Sequence, residues 1–165
     1  MPARELKRWA VHCALPLLTS LFIYVFFRTQ HTIVNEVLWR VAGLQPVHWT
    51  LPGLPWVVYN LPGALWMYAF MCFSSRQNSR FLLYAPLVLA LGIEAVQLLH
   101  LTDGTFDPLD VLFYLLAWLT FRTVRGWSPL VARPFQPSTR TVSWRYKMLF
   151  AGFVAIVLLS DVWTR

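Results

Sequence analysis

GIEAVQLLHLTDGTFDPLD, residues Gly92 to Asp110, joins two apolar stretches that are each long enough to enter a bilayer. It holds Glu94, Asp103, Asp107 and Asp110, four of the seven acidic residues in the chain. Glu94 lies deep in the first stretch and Asp110 near the start of the second. An ionisable group is therefore expected at membrane depth, where it is costly and by default marks a functional site. The pattern marks a place more clearly than it names a reaction.

Working outward, 58% of the 165 residues are hydrophobic, 16% are aromatic and only 13% are charged, more apolar side chain than one soluble core could hide. The expected fold class is all-α, a polytopic membrane helical bundle of about five transmembrane helices plus one short interfacial helix. Residues 1–165 are read as a single transmembrane domain with spans near 9–27, 55–73, 81–101, 105–124 and 146–163. A cytoplasmic linker is placed at 125–145.

The net charge of +7 does not form a Lys/Arg patch of the kind that reads nucleic acid. The basic residues lie between the apolar segments, where they set topology and contact lipid. With the N-terminus inside, the inner segments hold eleven of them, from Arg4, Lys7 and Arg8 through Arg76 and Arg80 to Arg145 and Lys147, and the outer segments only Arg28, Arg40 and Arg165. This bias puts DGTFDPLD and the C-terminus on the outer side. Cys13 and Cys72 have no metal-type spacing and imply no disulfide framework.

Along the chain, Trp9 to Phe27 is too long for a signal-peptide core and lacks a cleavage site, so it reads as the first span, with Pro16 as a kink point. Residues 33–41 place Ile33, Val34, Val37, Leu38 and Val41 on one stripe opposite Glu36 and Arg40, a short helix lying on the membrane surface. Gly43 stops it. The second span is interrupted by YNLPG, where Pro62 removes a backbone bond and Gly63 lets another helix approach. Asn60 at this break either bonds backbone groups freed by Pro62 or points at Glu94. In the third span Glu94 and Gln97 share a face. The fourth is short, for Pro108 to Phe121 covers only ~21 Å against a hydrocarbon core of ~30 Å. To cross, it must begin near Thr105 and end near Arg125; otherwise it is re-entrant.

Asp107 precedes Pro108 as a helix cap precedes a first-turn proline, and Asp110 then falls at the third helical position, facing the positive end of the dipole. Both acids therefore have a structural explanation beside a functional one. Glu94 has no basic residue within two turns in sequence. It is either protonated by desolvation or paired across helices with Asn60, Gln97, His100 or Tyr114. Such a carboxyl group beside a second one could carry a proton, bind a cation or act as a general acid or base. The candidate ligand-binding residues are Glu94, Gln97, Asp107, Asp110, Asn60, Tyr114, His100 and Asp103. DGTFDPLD lacks the ligand spacing of a calcium loop, and no cofactor or metal motif is present.

The order Glu94, Gln97, then GTFDPLD leading straight into an apolar helix resembles the signature of the VanZ-like membrane proteins, small helical proteins named after a teicoplanin-resistance factor. NLPGALWMYAF also resembles the Leu-Pro and Leu-Trp stretch of small relatives with a GTFD loop, so the likeness covers roughly Trp56 to Trp118. Gly104 stands where the family has Arg, Tyr114 where it has Asn and Ala117 where it has Gly, so no Arg–carboxylate pair is carried over. The resemblance implies a multi-pass protein of the bacterial cytoplasmic (inner) membrane linked to the cell envelope or to glycopeptide tolerance, without an agreed chemistry.

Three functions are open at this point. The first is an outward-facing acidic pocket that binds an amphiphilic envelope molecule, such as a lipid head group or lipid-linked intermediate. The second is an enzyme acting on such a lipid through the same carboxylates. In the third, the chain is a structural subunit or chaperone that meets a protein partner in a membrane complex.

Overall fold

The computed structural model describes residues 10–27, 49–75, 80–101 and 104–127, together with Lys7, Arg40, Val41, Gly43, Trp144, Met148 and Gly152. Among the described residues the chain is all-helical, with no strand. Helix α1 spans Leu15–Phe27 and is entered through a π-helical turn, Ala10–Ala14. Pro16 has no N–H to offer the carbonyl of His12, which accounts for the widened turn just before it. Then come α2 (Pro55–Tyr59), α3 (Leu61–Ser74), α4 (Arg80–Leu98) and α5 (Pro108–Trp127). Three stretches, Ala10–Phe27, Pro55–Ser74 and Phe81–Leu98, are long and apolar enough to cross a membrane. The surface helix read at 33–41, the linker and the fifth span at 146–163 lie almost wholly outside the described residues.

The bundle is built round α3. Of the stretch Pro55–Ser74, 61% is buried inside the protein, against 22% and 28% for the two other candidate spans. The reason is visible in α3 itself, which is apolar on every side and therefore suited to a central position. Met67, Ala69 and Met71 are completely buried, and Trp66, Tyr68 and Phe70 nearly so. α1, α4 and α5 all pack against it. Two contacts fix α1: Ser20 donates its hydroxyl to the carbonyl of Pro62 at 3.0 Å, and His12 Nδ1 is hydrogen-bonded to the Tyr68 hydroxyl at 2.8 Å. Against α5, the bare backbone of Gly63 receives the Tyr114 ring so closely that a β-carbon there would lie 2.9 Å from its hydroxyl oxygen.

Aromatic residues gather at the Phe27 end of α1. Trp49 stacks on Phe26 at 5.4 Å between ring centres and meets Phe22 and Phe27 edge-on, while its N–H donates to the carbonyl of Phe26. At the start of α2, Trp56 pairs with Phe113 of α5 at 5.8 Å. Such rings suit the boundary between hydrocarbon and head groups.

Three helix limits differ from the sequence reading. α4 ends at Leu98 rather than near Leu101, because His100 takes a left-handed conformation (φ 54°). The N–H of Leu101 then bonds Val96 O at 3.1 Å and that of His100 bonds Gln97 O at 3.0 Å, the paired capping bonds of a Schellman turn. Glycine usually fills this position, since a side chain in left-handed backbone costs roughly 1–2 kcal/mol. His100→Gly is therefore expected to stabilise the protein by about 1 kcal/mol, seen as a higher melting temperature in detergent. An unchanged or lower value would mean that the exposed imidazole contributes contacts that offset the strain. α5, in turn, starts at Pro108 and not near Thr105, and it runs on to Trp127, past the Arg125 at which the linker was placed.

Candidate functional site

The start of α5 follows from its sequence. Pro108 occupies the first helical position, where its missing N–H costs nothing, and Asp107 caps the turn by accepting the N–H of Leu109 on Oδ1 at 2.9 Å. The N–H of Asp110 bonds Asp107 O at 3.0 Å, which places the Asp110 carboxylate in the first turn, at the positive end of the helix dipole. The capping reading of Asp107 thus holds, but it uses only one of the two carboxylate oxygens.

The second oxygen is claimed by Asn60. This residue sits at the junction of α2 and α3, where its N–H bonds Trp56 O at 3.1 Å and its carbonyl accepts from Ala64 at 3.4 Å, so the two helices are almost continuous. Its side chain is 2% exposed and points across the bundle. Nδ2 donates to Asp107 Oδ2 at 2.9 Å and to Asp110 Oδ1 at 3.0 Å, so one amide group uses both of its hydrogens to hold two carboxylates side by side. The amide's orientation follows from its neighbours, since an ionised carboxylate can only accept. The sequence had offered Asn60 the backbone freed by Pro62 or the Glu94 site; its amide bonds Asp107 and Asp110.

Glu94 completes the group from α4. It is 4% exposed, and its Oε2 accepts the Asp107 N–H over a long 3.4 Å. Three carboxyl groups from α4, the loop and α5 thus lie at one end of the bundle, Asp107 and Asp110 joined by the Asn60 amide and Glu94 linked through the Asp107 backbone.

The remaining candidates divide into flanking and separate positions. Gln97, one turn beyond Glu94, is half-buried and lies across the loop at Gly104, where a β-carbon would stand 2.5 Å from its Nε2. The absence of a side chain at Gly104 is what lets the amide lie there. Tyr114, 5% exposed, is one turn past Asp110 and packs its hydroxyl over Gly63. His100 is exposed and serves as the helix cap described above. Asp103 lies outside the described residues. Ser20 was not singled out from the sequence. No sequence signal separated it from the neighbouring Thr19, and its bond to Pro62 O steadies the α2–α3 junction from which Asn60 projects.

Chemically, the cluster is rich in acceptors and suited to a cation, an ammonium group or several hydroxyls. Among the described residues, no three His, Cys, Asp or Glu side chains are arranged to hold a metal ion. The buried thiol of Cys72 is twelve residues along the chain from Asn60, roughly 18 Å on a helical rise. It is therefore too far away to act as a nucleophile beside these carboxylates. Comparison with family models, with curated proteins and with solved structures finds no match to the chain.

Proposed function

We propose that the chain is a five-span protein of the bacterial cytoplasmic membrane whose carboxylate cluster binds an amphiphilic molecule of the cell envelope through an ammonium or polyhydroxyl head group. The observation that carries this reading is the Asn60 amide, which holds Asp107 and Asp110 together beside the buried Glu94. Gathering like charges costs free energy, and a bound cation or a set of hydroxyl donors offsets it. The cluster lies about 6 Å from the Leu98 end of α4 and about 7 Å from the Pro55 end of α2 on a 1.5 Å rise, within reach of a head group and below the expected aromatic boundary. The excess of Arg and Lys in the segments assigned to the inner side supports an outward-facing site. The likeness of GTFDPLD to the VanZ-like proteins supports a role in the envelope and, through it, in glycopeptide tolerance.

Native mass spectrometry of protein gently extracted from its own membrane tests the proposal. The wild type is expected to carry a small molecule that Glu94→Gln retains at least tenfold less, since loss of one charged hydrogen-bonding partner is worth about 1.5–3 kcal/mol. A bare chain in both samples, or equal retention, would sink it. Turnover of the released compound by purified protein would extend the reading to catalysis.

A further inference from the structure

α5 offers lipid a much shorter apolar face than its neighbour α4. Leu109, Leu112, Leu115, Leu116 and Leu119 are all between 42% and 49% exposed. They begin at Leu109 in the first turn of α5, beside the inward-facing Asp110, and end before exposed Arg122, whose guanidinium lies 5.1 Å from the Trp118 ring centre. Leu109 and Arg122 are thirteen residues apart, about 20 Å on a helical rise, where an undisturbed hydrocarbon core needs about 30 Å. On α4, exposed Phe81, Tyr84, Val88 and Leu98 extend the apolar face over about 25 Å, and Phe81–Leu98 meets the criteria for a span. Arg122 can extend toward the head groups on its own side, which recovers part of the difference there. The Asp110 side chain is too short to do the same.

We propose that the bilayer is thinned along α5 at the Asp107 end, so that lipid head groups descend to the carboxylate cluster and its ligand enters sideways from that leaflet. The occupant of this face is therefore lipid. The charge pattern fits it: carboxylates meet the amine of a zwitterionic head group at one end, and Arg122 meets lipid phosphate at the other. Local thinning is the ordinary response to an apolar surface shorter than the membrane. The inference rests on the membrane reading above and supplies the route by which an amphiphile reaches Asp107, Asp110 and Glu94.

Spin labels at single introduced cysteines test it in the full chain, reconstituted in phosphatidylethanolamine–phosphatidylglycerol vesicles. Cys13 and Cys72 stay in place, since both are buried, and the unsubstituted protein controls for their labelling. Leu112→Cys, Leu119→Cys and Val88→Cys are compared for collision with oxygen, which enters lipid, and with a polar nickel chelate, which does not. The expected result is ready access of oxygen at all three positions and severalfold greater access of the chelate at Leu112, near the Asp107 end, than at Val88. Chelate access as low at Leu112 as at Val88 would overturn the thinning. Exclusion of both probes along α5 would show that protein covers the face, and would overturn it too. Neither reading depends on a retained ligand, so failure here is separable from failure of the binding proposal.

Discussion

Gly63→Val is expected to destabilise the protein by about 3 kcal/mol, because the new side chain must displace a ring that has nowhere to go. A β-carbon at this position would stand 2.9 Å from the Tyr114 hydroxyl oxygen and 3.1 Å from Cε1, and Tyr114 is 5% exposed within the central core. The wedge would separate α3 from α5 near the carboxylates, since Asp110 lies one turn before Tyr114. Ligand retention should fall together with stability. Gly63→Ala combined with Tyr114→Phe gives the control, because removing the hydroxyl relieves the tightest contact. The pair should lose clearly less stability than the sum of the two single changes. Denaturation in mixed micelles measures all four proteins. A Gly63→Val variant within about 0.5 kcal/mol of wild type would show that the two helices are not held at this spacing.

Asn60→Leu should have an effect of similar size for an electrostatic reason. The substitution keeps the branched four-atom shape but removes both donors that face Asp107 and Asp110, leaving two part-buried carboxylates side by side without the group that joins them. Orphaned acceptors of this kind cost about 1–3 kcal/mol, and more when they are charged. A loss of about 3 kcal/mol is therefore expected in the same assay. Adding Asp110→Leu should recover part of it, because replacing both partners by apolar groups removes the orphan as well as the bond. If the double variant is less stable than Asn60→Leu alone, the Asp110 carboxylate has a stabilising role independent of Asn60, and the bridge is not what holds this end together.

The sequence reveals the architecture where the signal is local and chemical. An apolar composition with short polar breaks could only be helical in a bilayer, and NLPG marked the interruption of the second helix through what Pro62 cannot donate. The Asp107–Pro108 pair predicted the start of α5. Less was legible where the outcome depended on backbone that any residue can adopt or on packing between distant segments. Nothing in QLLHL shows that His100 will take a left-handed conformation and end α4 early. The end of α5 at Trp127 was not legible, because Arg122 and Arg125 mark the limit of the apolar stretch, yet charged residues continue a helix readily.

The candidate site was half legible for the same reason. Glu94, Asp107 and Asp110 stood out because carboxylates are rare in this chain, and that rarity identified them one by one. Their common partner did not stand out. Asn60 had two chemically reasonable roles, and choosing between them needed the crossing of α3 with α5. Gln97 and Gly104 show the limit clearly, since only folding reveals that the amide of one lies across the backbone of the other.

The central position of α3 also bears on how the protein is made. The most enclosed of the three candidate spans is at the same time the least apolar, so it is the one that lipid alone would hold least firmly. A ribosome feeding the insertion machinery delivers α1 first, and Ser20 and His12 are then already in place to receive Pro62 and Tyr68 as they emerge. α3 would thus be retained by a protein surface that precedes it. A nascent chain lacking α1 is expected to let this segment slip through to the far side, and a glycosylation tag placed after Ser74 would report its passage.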